Sequence, residues 1–272
     1  MDQSFLRGEI TMKKLTIAAA LLSALAVTGT ANAYQAEVGA SAGYVDPDNG
    51  SSGNEFGVNG TYYFNPVQTR NAPLAEAAFL NRASNVKAHA NFADQGDTDN
   101  NDYGVGLEYF VPNSDFYVSG SVSQNDQEFK DHTGRTHDFD TTYYGAEVGY
   151  LAAPGFLIAA GVKGYDNDNE DGVDPTLRAK YVTQMGGHDV NLEAGAAFGD
   201  LDEYNLKADY YIDKTFSVGA DYYNNDLTDN SEVGINARKF INQQVSLEGR
   251  VGFGENGNND YNSFGVGAKY RF

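Results

Sequence analysis

Tyr204-Asn205-Leu206-Lys207-Ala208-Asp209-Tyr210, a polar break at Asp213-Lys214, and then Phe216-Ser217-Val218-Gly219-Ala220-Asp221-Tyr222 are the stretch that decides the fold. In each run the apolar residues take every second position. Tyr204, Leu206, Ala208 and Tyr210 therefore share one face of an extended chain, while Lys207 and Asp209 share the other. A helix would scatter these residues around its axis. A strand segregates them into one wholly apolar face and one charged face.

The same alternation extends in both directions. Upstream it runs through Tyr34–Tyr44, Phe56–Phe64, Val86–Phe92, Tyr103–Tyr109, Phe116–Val122, Tyr144–Tyr150, Phe156–Val162, Leu177–Tyr181 and Val190–Phe198. Downstream it runs through Val233–Ala237, Val245–Phe253 and Phe264–Phe272. With the pair quoted first this makes 14 segments of about ten residues, the length a tilted strand needs to cross a bilayer. Connections of two kinds alternate. Tight ones fall at Pro112-Asn113-Ser114, Ala152–Gly155, Gly186-Gly187-His188, Asp213-Lys214 and Asn242-Gln243. Longer ones are expected over 46–53, 93–102, 125–138, 166–174, 224–231 and 254–260, with 199–202 short. The expected fold is all-β: a transmembrane, antiparallel, up-and-down β-barrel of about 14 strands, closed so that no strand edge meets lipid. A soluble sandwich would need two sheets covering each other, and the local connections give no sign of Greek-key crossings.

Composition agrees. The 272 residues carry a net charge of −20, 19 Tyr and 16 Phe, and neither Cys nor Trp. Zero Cys excludes a disulfide framework and thiolate chemistry, and the acidic balance excludes nucleic acid as a partner. Met12-Lys13-Lys14, an apolar run from Leu15 to Val27 and Ala31-Asn32-Ala33 read as a signal peptide over 12–33, cut before Tyr34. Residues 1–11 read as an upstream extension, and 34–272 as the barrel. Aromatic residues gather at strand ends, as interfacial girdles do.

The charged face would line the lumen. It holds Glu37, Glu55, Glu108, Glu147, Glu193, Asp209, Asp221, Glu232 and Glu248 against Lys87, Lys163, Arg178, Lys180, Lys207, Arg238, Arg250, Lys269 and Arg271. Nine acids face nine bases, so a polar, nearly balanced pore lining is expected. The outer connections gather 21 Asp and Glu against Lys130 and Arg135, a field that would concentrate cations at the mouth. Metal and catalytic signals are weak. Asp166–Gly172 misses the calcium-loop spacing, and His132 and His137 lack a third ligand. No Gly-x-Ser-x-Gly occurs. Neither metal nor cofactor is expected.

One connection breaks the pattern. Residues 65–82 lie where a tight turn belongs, and Pro73 followed by Leu74–Leu80 reads as a short helix with Leu74, Ala77 and Ala78 on one face. Leu74, Glu76, Phe79 and Leu80 are the candidate plug, with Arg70, Glu76 and Arg82 available to pair with lumen charges. Pro73-Leu-Ala-Glu-Ala-Ala-Phe-Leu-Asn81, followed by Ala83-Ser-Asn-Val86, resembles the putative-porin family of Acinetobacter and related bacteria. The resemblance implies a 14-stranded outer-membrane diffusion channel with a narrowed or gated lumen.

The expected function is a non-enzymatic porin, a narrow passage for water and small polar solutes that leans toward cations at its acidic mouth. Its partners would be outer-membrane lipids and lipopolysaccharide. The barrel-assembly machinery would read the aromatic ending Phe272. The alternatives are an outer-membrane protease or lipase, which would want a His–acid or Ser–His constellation, and a non-conducting adhesin-type barrel.

Overall fold

The structure is a computed structural model that describes residues 33–69, 72–131 and 133–272. The leader before Ala33 and the extension 1–11 lie outside the described residues, as do Arg70 and His132. Fourteen strands form one closed antiparallel barrel in which each strand pairs with its neighbours in sequence and β1 pairs with β14. The strands are β1 (Ala33–Pro47), β2 (Gly53–Gln68), β3 (Asn85–Gln95), β4 (Thr98–Phe110), β5 (Phe116–Lys130), β6 (Thr136–Ala153) and β7 (Phe156–Asn167). They continue as β8 (Asp171–Met185), β9 (His188–Ala197), β10 (Glu203–Asp213), β11 (Phe216–Asn225), β12 (Asn230–Phe240), β13 (Val245–Asn256) and β14 (Asn259–Arg271).

The alternation sets the two faces. Val105, Leu107, Val148, Ile158, Leu177, Leu206, Ile235 and Val266 are exposed on the outside, where hydrocarbon would cover them. Tyr62, Phe64, Phe116, Tyr150 and Tyr210 ring the outside near the end that carries the termini. Tyr44, Tyr103, Phe253 and Phe264 do so near the other end.

Two expectations change. Tyr34, placed in the outward row by strict alternation, points inward and is buried with Tyr63, Val67, Ala77 and Ala83. The β1–β2 register slips between Tyr34 and Ala36, and a bulge of this kind turns the following side chains to the opposite face. The second change concerns the long connections. The chain reverses at 48–52, 96–97, 131–135, 168–170, 198–202, 226–229 and 257–258, so much of what reads as loop is strand. Apolar alternation ends where the hydrocarbon would end, but backbone pairing continues into water because cross-strand hydrogen bonds do not need apolar side chains. Hairpin β5–β6 projects furthest, pairing as far as Lys130 and Thr136.

The seam between the first and last strands is closed by the terminal residue itself. The Phe272 carbonyl accepts hydrogen bonds from the Gln35 and Ala36 amides, and the Phe272 amide donates to the Ala36 carbonyl. Its ring lies outward, stacked on Tyr270 with centroids 6.1 Å apart. Deleting the residue would therefore remove seam hydrogen bonds together with the aromatic group. Phe272→Ala separates the two. It is expected to slow barrel assembly in cells while leaving the urea midpoint of the refolded barrel within about 1 kcal/mol of wild type, as measured by pulse-chase and by refolding into vesicles.

Candidate functional site

The inward rows alternate charged and small residues. On β1 the row is Glu37, Gly39, Ser41 and Gly43, and on β14 it is Arg271, Lys269, Gly267 and Gly265. Bare backbone at these positions leaves open volume beside the charges. A cavity of about 960 Å³ is lined by the upper parts of β1, β2, β13 and β14, including Glu55, Asn59, Glu248, Arg250 and Lys269. A second, of about 560 Å³, adjoins β3–β10 and is lined by Lys87, Glu108, Glu147, Lys163, Arg178, Glu193 and Glu203.

The lumen charges form ion pairs, all of them between strands except Lys207–Asp209, which lies along β10. Arg178 holds Glu147 at 2.7 Å and the Tyr117 hydroxyl at 3.2 Å. Lys163 meets Glu203 at 2.5 Å, Lys87 meets Glu108 at 3.2 Å and Arg238 meets Glu248 at 2.7 Å. Lys207 lies 3.5 Å from Asp209. Arg250 pairs with both Asp221 and Glu232, and Lys269 lies 3.6 Å from Glu37. Glu203 and His89 belong to this wall and were not singled out in the sequence, and Asp102, counted there among the acids of the outer connections, belongs to it too. His89 Nε2 and Asp102 Oδ1 are 2.6 Å apart. Their position relative to the apolar rows was a usable signal: Glu203 precedes Tyr204, and Asp102 precedes Tyr103.

The acids of the outer connections are not all at one rim. Asp102 faces the lumen. Asp174 is buried and accepts hydrogen bonds from the Asp200 and Leu201 amides at 3.0 and 2.6 Å. This draws the 198–202 connection inward, with Leu201 buried against Tyr165, Ala197 and Tyr143. Asp94, Asp99, Glu128 and Asp138 instead stand in one cross-strand row on the outward face. At the tip of β5–β6, Asp131 accepts from the Thr133 hydroxyl and the Thr133 and Arg135 amides. These bonds, the Thr133 hydroxyl first, hold its carboxyl well below the usual range. No group of three or more His, Asp or Glu placed to hold a metal ion occurs among the described residues.

The segment after β2 crosses the end of the lumen that carries the termini. Leu74–Glu76 is a 3-10 turn, and α1 (Ala77–Leu80) is one α-turn. The single helix suggested by the run divides at Glu76, whose side chain is held by the wall. Tyr211 Oη donates to Glu76 Oε1 at 2.7 Å, and Lys180 Nζ lies 2.8 Å from both Glu76 Oε2 and Glu193 Oε1. The Leu74 amide donates to the Lys214 carbonyl at 2.9 Å. Arg271 Nη1 donates to the Leu74 carbonyl at 2.9 Å, and Arg271 Nε holds Glu37 at 2.5 Å. The guanidinium is also sandwiched between Tyr34 and Phe240, at 4.6 and 4.5 Å from the ring centroids.

Apolar contacts complete the anchorage. Ala77 and Ala78 pack on Tyr34, Tyr63, Val67 and Ala83. Phe79 packs on Phe110, Tyr117, Leu151 and Leu157 from the opposite wall. Gly155 takes a positive φ of 75° beside Leu80; a Cβ there would lie 2.4 Å from the Val182 carbonyl oxygen. Arg82 departs from the expected lumen pairing. It meets Asp115 at 2.9 Å and the Ser114 carbonyl at 3.1 Å on the exposed rim. Neither large cavity is lined by any residue of this segment, which lies beneath both.

A closed 14-stranded antiparallel barrel with an apolar outside and a charged lumen is a bacterial outer-membrane channel. Residues 12–174 match the family described as "Putative general bacterial porin", and the chain belongs to that family. The crystal structure of the Acinetobacter baumannii outer membrane protein Omp33 is similar at 30% identity and a TM-score of 0.67, over 89% of this chain and 99% of that one. The CymD monoaromatic hydrocarbon channel shares the fold at 9% identity and a TM-score of 0.52, over 88% of this chain and 89% of that one. None of the curated proteins matches the sequence. The protein is thus an outer-membrane porin. In such barrels the short turns and termini face the periplasm, which places the crossing segment at the periplasmic end.

Pairs of unlike burial should differ in worth. Arg271 is 5% exposed and serves two partners on different elements, whereas the Lys87 side chain is 51% exposed. Arg271→Met is expected to destabilise the barrel by about 3–5 kcal/mol, because the buried Glu37 carboxylate keeps only the longer contact to Lys269 and the Leu74 carbonyl loses its donor. Lys87→Met is expected to cost under about 1 kcal/mol. Urea titration of both variants in lipid vesicles measures the difference.

Proposed function

We propose that this porin is a narrow, cation-leaning passage for water and small polar solutes whose conductance is limited at the periplasmic end by the segment around Leu74, Glu76, Phe79 and Leu80. The observation that carries this reading is the anchoring of one short segment to several separate parts of the wall at once. Arg271 takes its first carbonyl, Lys180 and Tyr211 take its carboxylate, and Phe79 fills an apolar niche on the far side. A side brace would touch one wall only.

The candidate lining residues form the wall, and two of them, Lys180 and Arg271, also anchor the segment. Glu55, Lys87, Glu108, Glu147, Lys163, Arg178, Lys180, Glu193, Lys207, Asp209, Asp221, Arg238, Glu248, Arg250, Lys269 and Arg271 make the passage polar and interrupt it with ion pairs. Small hydrated solutes would exchange hydration for these fixed dipoles, with no chemical step. Lipopolysaccharide surrounds the upper belt, and the barrel-assembly machinery receives the aromatic end at Phe272.

Replacing residues 68–80 by a short Gly/Ser turn is expected to raise single-channel conductance several-fold while the cation preference persists, because the charges above the segment are untouched. Planar-bilayer recording of the refolded variant tests this. Unchanged conductance in a folded barrel would assign the segment a bracing role alone.

A further inference from the structure

Among the lumen bases, each faces a carboxylate: Lys87 with Glu108, Lys163 with Glu203, Arg178 with Glu147, Lys180 with Glu193, Lys207 with Asp209, Arg238 with Glu248, Arg250 with Asp221 and Glu232, and Lys269 and Arg271 with Glu37. Charges paired in this way present dipoles to a passing ion and largely cancel at a distance. Glu55 differs. It points into the lumen from β2, it is exposed, and it lines the larger cavity. Among the described residues no hydrogen bond or ion pair reaches its carboxylate.

The register explains why. Glu55 stands opposite Gly43 on β1, Gly43 opposite Gly265 on β14, and Gly265 opposite Arg250 on β13. Two strands of bare backbone thus separate the carboxylate from the guanidinium in its row. That guanidinium is already committed to Asp221 and Glu232. Gly43 also provides the room Glu55 occupies, since a Cβ there would lie 3.2 Å from Glu55 Oε2. Lys269, the other base lining the cavity, reaches toward Glu37 instead.

We propose that Glu55 is the specificity-determining residue for permeant cations, the one carboxylate lining the wide upper passage to which, among the described residues, no base is paired. The proposal rests on the porin reading and locates the cation preference inside the lumen instead of at the acidic rim. A monovalent cation passing about 6 Å from one full charge in a water-like dielectric is enriched about threefold, and an anion is depleted in proportion. Rim acids on the outward face act through more solvent and are screened within a Debye length of about 8 Å at physiological salt.

The test is the reversal potential of the full-length mature protein in a potassium chloride gradient. Glu55→Gln, which removes charge and keeps shape, is expected to lower the cation-over-anion permeability ratio about tenfold, the product of the cation enrichment and the anion depletion. Glu55→Lys is expected to turn the preference toward anions. The combined rim variant Glu128→Gln/Asp138→Asn is expected to leave the ratio near wild type. A ratio unchanged in Glu55→Gln, or one that falls only in the rim variant, overturns the proposal while leaving the porin reading intact. Absence of ion current through both wild type and the variant lacking 68–80 overturns the porin reading, and the proposal with it.

Discussion

The structure depends on one constraint: in hydrocarbon every backbone N–H and C=O must find a protein partner. Closure of β1 on β14 meets it, pairing Glu37–Pro47 with Arg271–Tyr261 along an unbroken register. From closure follows the two-faced strand, since one side chain in two must meet lipid and the next must meet the lumen. The lumen must then be polar enough to hold water yet cannot carry a large excess of one charge. The cross-strand ion pairs are the solution adopted here.

Closure also concentrates chemistry at the seam. Arg271 sits on the last strand one residue from the terminus, and its carboxylate partner Glu37 sits on the first strand. Stacked between Tyr34 and Phe240 and bonded to the Leu74 carbonyl, the same guanidinium ties barrel closure to the position of the crossing segment. Arginine suits this place because its planar fork can donate in two directions while its faces stack on rings. Lysine would offer a point charge without the sandwich.

Much of this was legible in the sequence because its period is two and its faces are chemically unlike. The strand count, the lipid rows and the lumen charges follow from parity alone. Tyr34 escaped because a bulge resets parity and leaves no mark in composition. The outer loops escaped because Asp and Asn suit both a loop and a strand standing in water; Asp94, Asp99, Glu128 and Asp138 prove to be ladder residues. Glu76 was readable as a charge on an apolar segment, but its partners Lys180 and Tyr211 lie more than 100 positions away, beyond any local pattern. Asp174 and Leu201 escaped for the same reason, since the contact drawing the 198–202 connection inward is tertiary.

The central claim is that part of the chain's own connection is built into the periplasmic end of the lumen instead of hanging beneath it. Amide hydrogen exchange at Leu74 in lipid nanodiscs tests it most directly, because that amide donates to the Lys214 carbonyl across the barrel end. The account predicts protection of Leu74 comparable to that of neighbouring strand amides. Exchange at the rate of a solvated loop would contradict it.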